Sequence, residues 1–109
     1  VYYPGLREGE QKELIEKQMK GFNGLLSFVM DGTAERAELF MDSLTCFLKG
    51  CSWGGFESLV YPFSVGTDEE FNRENDCPAN LIRLHVGLEN VETLIADLEQ
   101  AFAKVTDGQ

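Results

Sequence analysis

The sequence predicts an α+β domain, a mostly antiparallel sheet covered by segregated helices. Three observations lead there. Short apolar runs with two-residue alternation sit near residues 25–30, 56–61 and 81–86, the period of a strand. Helix-period stripes lie between them and after them, near residues 8–20, 33–44 and 91–105. The chain has 109 residues, one domain by length. A domain of that size buries roughly 60–68% of its unfolded surface, enough for one core.

Taken in order, Tyr3-Pro4-Gly5 makes a turn or extended lead-in. A helix follows from about Glu8 to Lys20, with Ile15, Met19 and Phe22 as its apolar stripe. Glu8, Glu10 and Glu13 come early and Lys17 and Lys20 late, which suits the helix dipole. Glu13–Lys17 and Glu16–Lys20 are favourable four-apart pairs, and Gly21 supplies the stop. Leu25 to Met30 reads as a strand, with Leu26, Phe28 and Met30 on one face. Asp31-Gly32 turns the chain and Thr33 caps a helix whose Ala37, Phe40, Met41 and Leu44 share a face. Phe47-Leu48-Lys49 is a short strand, Cys51 to Gly55 a loop, and Phe56 to Tyr61 a strand ended by Pro62. The polar, acidic stretch from Gly66 to Pro78 reads as an exposed loop. Leu81 to Val86 is a strand with Ile82, Leu84 and Val86 toward the core. An Asn90 cap opens the last helix, which should bury Val91, Leu94, Ile95, Leu98, Phe102 and Val105.

Composition excludes several function classes. Nineteen acids stand against nine Lys and Arg, a net charge of −10. Such a surface repels phosphate backbones and anionic membranes, and no basic stripe offsets it, so no nucleic-acid and no membrane partner is expected. No apolar run reaches the ~20 residues that span a bilayer. Val1-Tyr2-Tyr3-Pro4-Gly5 has neither a starting Met nor a signal-peptide pattern, which points to Val1 as a position inside a longer chain. Cys46, Cys51 and Cys77 make a poor disulfide framework, and a reducing, cytoplasmic compartment is expected. One histidine and no Cys-x-x-Cys leave too few ligands for zinc.

Arg83 is the first candidate for chemistry. It sits mid-strand on the face opposite Ile82, Leu84 and Val86. Its planar fork matches a carboxylate with two parallel hydrogen bonds; a structural ion pair with one of the chain's acids is the competing reading. The second candidate is Ser52-Trp53-Gly54-Gly55. Two glycines let the backbone approach a ligand, Ser52 offers a hydroxyl, and Trp53 offers an apolar face with one donor. A glycine-rich turn anchored by Trp53 in the core is the alternative. Cys51 reads as an unreactive thiol, since only Lys49 nearby is basic. Glu57 and Ser58 read as structural or solvated. His85 shares the Arg83 face, as a hydrogen-bonded strand histidine or a second pocket residue. No nucleophile–base dyad or phosphate loop is present.

Two blocks, Cys51-Ser52-Trp53-Gly54-Gly55-Phe56-Glu57-Ser58-Leu59 and the run from Leu81 to Phe102, together resemble the Cys/Met-metabolism family of pyridoxal-phosphate enzymes. The resemblance is to the C-terminal small domain of these fold-type I enzymes, and the nearest branch is the bacterial cystathionine β-lyases. It implies that residues 1–109 are a single small domain of a longer enzyme. An absent large domain would hold pyridoxal phosphate on a lysine; Lys12, Lys17, Lys20, Lys49 and Lys104 do not stand in that context. It implies that Arg83 binds the α-carboxylate of a sulfur amino acid, with Ser52 and Trp53 shaping the substrate site. Tryptophan at 53 is similar to the β-lyases, whereas γ-lyases and γ-synthases more usually carry leucine. Cys51 departs from both groups, which tend to an aromatic or an acid. Tyr3-Pro4-Gly5-Leu6 resembles the family's entry into the small domain, but Arg7-Glu8-Gly9-Glu10-Gln11 replaces the histidines often found after it. The implied activity is β-elimination of cystathionine to homocysteine, pyruvate and ammonia by a homotetramer, with this chain alone inactive. A γ-lyase or γ-synthase is the sibling alternative, and a stand-alone amino-acid-binding module is the alternative of another class.

Overall fold

The alternation near residue 83 folds as strand β4 (Leu81–His85), which is flanked by a strand on each side. In this computed structural model, residues 1–63 and 68–107 are described. Strands β1 (Leu25–Val29) and β3 (Leu59–Pro62) pair with β4 antiparallel, and the two-residue β2 (Leu48–Lys49) runs parallel to β3 at one edge. The order is β1-β4-β3-β2. The register aligns Leu26 with Leu84 and Val60, and Phe28 with Ile82. Because side chains alternate across a strand, these residues share one face.

That face is the core side. It meets α2 (Ala34–Ser43) and α4 (Val91–Asp107), whose Ala37, Phe40, Met41, Leu94, Ala101 and Val105 are buried with Val60, Ile82 and Leu84. Phe40 and Phe102 stack at 4.4 Å between ring centroids, and Phe28 meets both. The expected caps form. Thr33 Oγ1 accepts from Arg36 N–H at 3.2 Å, and Asn90 Oδ1 accepts from Glu92 and Thr93 N–H.

Several expectations are corrected. The last helix buries fewer of its stripe than predicted: Val91, Ile95 and Phe102 are 58%, 49% and 39% exposed, while Ala101 and Asp97 lie inside. The stripe is wider than the strip of sheet the helix covers. The third strand starts at Leu59 rather than Phe56, because residues 56–58 are drawn toward the β4–α4 connection: Leu88 N–H bonds the Phe56 carbonyl. Pro62 is itself a strand residue, paired with Ile82. The polar stretch predicted as loop contains a helix, α3 (Glu69–Glu74), capped by Asp68 Oδ1 on Phe71 N–H; residues 66 and 67 of that stretch lie outside the described residues. The first helix, α1 (Gly9–Gln18), ends before Gly21, buries none of its residues, and pairs Lys12 with Glu8 rather than using the predicted pairs.

A buried acid ties the layers together. Asp97 of α4 is 4% exposed. Its Oδ1 accepts from Thr45 N–H (2.8 Å), Thr45 Oγ1 (3.0 Å) and Gln100 Nε2 (3.0 Å), and its Oδ2 from Cys46 and Phe47 N–H (2.7 and 3.2 Å). The carboxylate thereby satisfies backbone donors of the α2–β2 connection that would otherwise be buried without partners.

Candidate carboxylate-binding site

The site follows from the direction of β2. Because β2 and β3 run parallel, the chain leaving Lys49 must travel back before it can enter β3 at Leu59. Parallel strands always need such a return. Here the return is residues 50–58, and it passes over the sheet face opposite the core. Its first end is fixed by Gly50 N–H on the Val60 carbonyl, and its far end by the Leu88–Phe56 bond. Gly87 makes that far anchor possible: a Cβ there would lie 2.2 Å from the Phe56 carbonyl oxygen.

Under this loop lies Arg83, half-buried and paired across the sheet with Ser27 on β1 and Tyr61 on β3. The register sets all three on the face away from the core, as the alternation predicted for Arg83. Its Nη2 donates to the Cys51 carbonyl at 2.8 Å. The guanidinium carbon stands 5.4 Å from the Trp53 ring centroid and 5.2 Å from that of Tyr61. Both distances are within cation–π range. Among the described residues no carboxylate lies within ion-pair distance of Arg83. In a chain with 19 acids, the structural ion pair weighed from the sequence is thus not what holds this arginine.

The structure brings Arg83 and Trp53 together. Trp53 is 61% exposed, so it roofs the guanidinium rather than anchoring a core. Ser52 lies in the same exposed loop and makes no hydrogen bond among the described residues. Cys51 contributes its carbonyl, and its exposed thiol is free. Gly54 adopts φ +81°, a left-handed conformation that glycine takes without strain.

Of the three further residues here, Tyr61 is not singled out by the sequence, while Ser58 and His85 take the structural, hydrogen-bonded parts read for them. Tyr61 is the second wall of the arginine, and only the β3–β4 register reveals it. Ser58, fully buried, donates through its hydroxyl to Glu89 (2.9 Å) and accepts from Gly87 N–H (2.8 Å), so its role is structural. The Ser58 backbone and hydroxyl donors hold the Glu89 carboxyl below the usual carboxylate range. His85 is 7% exposed on the Arg83 face, with Nε2 3.0 Å from the Gly55 carbonyl and Nδ1 3.4 Å from Gly54 N.

Lys12 and Lys17 lie on α1, Lys20 just beyond it, and Lys104 on α4, while Lys49 is paired with Asp42 of α2. Among the described residues no group of three or more His, Cys, Asp or Glu could hold a metal, and no helix is long and apolar enough to cross a membrane.

Comparison with known proteins gives the family. Residues 1–103 match the family described as Cys/Met metabolism PLP-dependent enzyme. Human cystathionine gamma-lyase is 39% identical over 105 residues, covering 93% of this chain and 26% of the relative. Cystathionine beta-lyase of Haemophilus influenzae is 37% identical over 112 residues, covering 96% of this chain and 28% of the relative. The crystal structure of cystathionine gamma synthase from Xanthomonas oryzae pv. oryzae, solved with cystathionine, superposes with a TM-score of 0.88 at 29% identity, covering 99% of this chain and 29% of that one. The chain thus spans little more than a quarter of the length of these relatives. Its α+β sheet is that of their fold-type I small domain, and the chain belongs to the Cys/Met-metabolism family of pyridoxal-phosphate-dependent enzymes.

Proposed function

We propose that this chain is the substrate-recognition domain of a pyridoxal-phosphate-dependent carbon–sulfur lyase, and that Arg83 anchors the α-carboxylate of its sulfur amino-acid substrate. The observation that supports this most is the state of Arg83. It is half-buried, held by a backbone carbonyl and two aromatic faces, and has no carboxylate partner among the described residues. The bond to Cys51 uses one of the five N–H donors of the guanidinium. An incoming carboxylate can take a bidentate pair.

The cofactor supplies the electron sink in such reactions. No lysine of this chain offers it an attachment, so the chain's share is binding and orientation. A fixed carboxylate sets which bond at the α-carbon stands ready to break, and positioning of this kind lowers the barrier without chemistry by the arginine itself. Trp53 and Ser52 would shape the space beside that carboxylate. Cystathionine β-elimination, giving homocysteine, pyruvate and ammonia, is the reaction we favour, since tryptophan at position 53 is similar to the β-lyases. The human γ-lyase relative at comparable identity keeps a γ-elimination as the second reading. Product analysis separates them: pyruvate supports the first, 2-oxobutyrate the second. In the complete enzyme a homotetramer in the cytoplasm is the expected setting, in keeping with three free thiols.

The test is Arg83→Ala and Arg83→Lys in the complete enzyme. Losing two charge-assisted hydrogen bonds should raise KM at least about 100-fold in the alanine variant. Lysine keeps the charge but not the fork and should fall between. An unchanged KM in Arg83→Ala would refute the assignment.

A further inference from the structure

We infer that His85 is a positioning residue for Arg83: it latches the Gly54–Gly55 peptide, and so holds Trp53 and the Cys51 carbonyl against the guanidinium. This rests on the reading of Arg83 as the carboxylate anchor and adds a residue to it.

The loop has little else to hold it. Residues 51–56 are all exposed, and Trp53 and Phe56 are 61% and 74% exposed. Burial of apolar surface therefore contributes little to its shape. Between the end anchors at Gly50 and Phe56, the hydrogen bonds to the loop among the described residues come from two side chains of β4. Arg83 binds the Cys51 carbonyl, and His85 binds Gly54 and Gly55. Arg83 and His85 are two apart on one strand and face the same way.

The two bonds of His85 require one tautomer. With the proton on Nε2, the ring donates to the Gly55 carbonyl at 3.0 Å while Nδ1 accepts from Gly54 N–H at 3.4 Å. A ring that bonds both ends of a dipeptide fixes its orientation as well as its distance. Gly54 sits at φ +81°, where the chain reverses to present Trp53. The ring is 7% exposed and packed beneath the loop, so it is not free to serve as an acid or base toward a substrate above the loop. The contact of Trp53 with Arg83 is between the two groups that would meet the substrate. Release of the latch would let the roof lift and the guanidinium swing with it.

The experiment uses His85→Ala, His85→Asn and His85→Gln, with Arg83→Ala as the reference. Trp53 is the only tryptophan of this chain, so its emission and its quenching by acrylamide report the roof directly in the 109-residue chain. KM and kcat for cystathionine are measured in the complete enzyme. Loss of two hydrogen bonds should make Trp53 more quenchable and raise KM about threefold to thirtyfold, with kcat changed less. Asparagine keeps an acceptor near Gly54 and glutamine a donor toward Gly55, so both should give intermediate values. They also serve if the alanine variant does not fold. Unchanged quenching, or an unchanged KM, in folded His85 variants beside a raised KM for Arg83→Ala would overturn the latch alone. An unchanged KM for Arg83→Ala would overturn the latch and the anchor together.

Discussion

Replacing Asp97 by asparagine tests the principal polar tie between helix and sheet layers. The change is nearly isosteric, so packing is preserved and the hydrogen bonds decide the outcome. In the better orientation the amide oxygen keeps the Oδ1 contacts to Thr45 and Gln100. The amide nitrogen then replaces Oδ2 and faces the N–H groups of Cys46 and Phe47, donor against donor. Two bonds to a charged acceptor are lost, each worth roughly 1.5–3 kcal/mol, and one part-buried and one buried backbone donor are left unpaired. A destabilisation of about 3–5 kcal/mol follows. That is a large fraction of the roughly 5–15 kcal/mol by which such a domain is stable. With an m-value of roughly 1–1.5 kcal/mol per M in urea, the unfolding midpoint should fall by roughly 2–5 M. Acid supplies a second reading. Burial pushes the Asp97 carboxyl up, but the donors from Thr45, Cys46, Phe47 and Gln100 together hold it below its ordinary value. A carboxyl lowered in the folded state contributes stability above its unfolded pKa, about 3.9. That contribution is lost as pH falls through the lower folded value. The gap between parent and variant should therefore be constant at neutral pH and shrink below about pH 4. Equilibrium urea unfolding followed by circular dichroism, repeated across that range, is the assay. A neutral-pH difference under 0.5 kcal/mol, far below that estimate, or a gap that does not narrow in acid, would refute the reasoning.

Further substitutions test the supports of the loop. Gly87→Ala places a Cβ 2.2 Å from the Phe56 carbonyl oxygen and 2.6 Å from the Glu57 carbonyl carbon. Backbone on both counts, these cannot move cheaply, and a loss of at least about 2 kcal/mol is expected in thermal or urea unfolding. Ser58→Ala removes the bond to Glu89 and leaves Gly87 N–H without its hydroxyl partner in a part-buried place; a cost of about 1–3 kcal/mol is expected by the same measurement. Thr33→Ala removes the cap of α2 and should cost about 1 kcal/mol.

The sequence was informative wherever a single period or a short local signal sets the structure. Strand β4 shows this: alternation alone separated Arg83 from Ile82 and Leu84 and placed it on the outer face. The double glycine likewise marked the loop, and Thr33 and Asn90 marked helix starts. What stayed hidden depends on contacts between distant segments. Tyr61 becomes a wall for Arg83 only through the β3–β4 register. Asp97 looks like any acid on a helix, since its donors lie about fifty residues earlier in the chain. Helix α3 has six residues and no buried face, so no apolar stripe announces it. Val91, Ile95 and Phe102 repeat at helical spacing, but periodicity cannot say how much sheet is available to cover them.

The charge of the domain bears on the carboxylate role proposed for Arg83. With a net charge of −10, the surface as a whole disfavours an anion. Yet at physiological ionic strength the screening length is about 8 Å, so remote acids contribute little at the guanidinium. The groups that hold it are a carbonyl, an indole and a phenol ring. Two aromatic faces hold a cation without cancelling its charge, whereas a carboxylate partner would both hold and neutralise it. A bound carboxylate would then meet an uncancelled charge in a partly desolvated place, where the attraction is stronger than in water. On this argument Tyr61 and Trp53 do what an ion pair could not: they fix Arg83 and leave it available. Tyr61→Leu, which keeps bulk but removes the π-face, should then raise KM without altering the fold, and Tyr61→Phe should not.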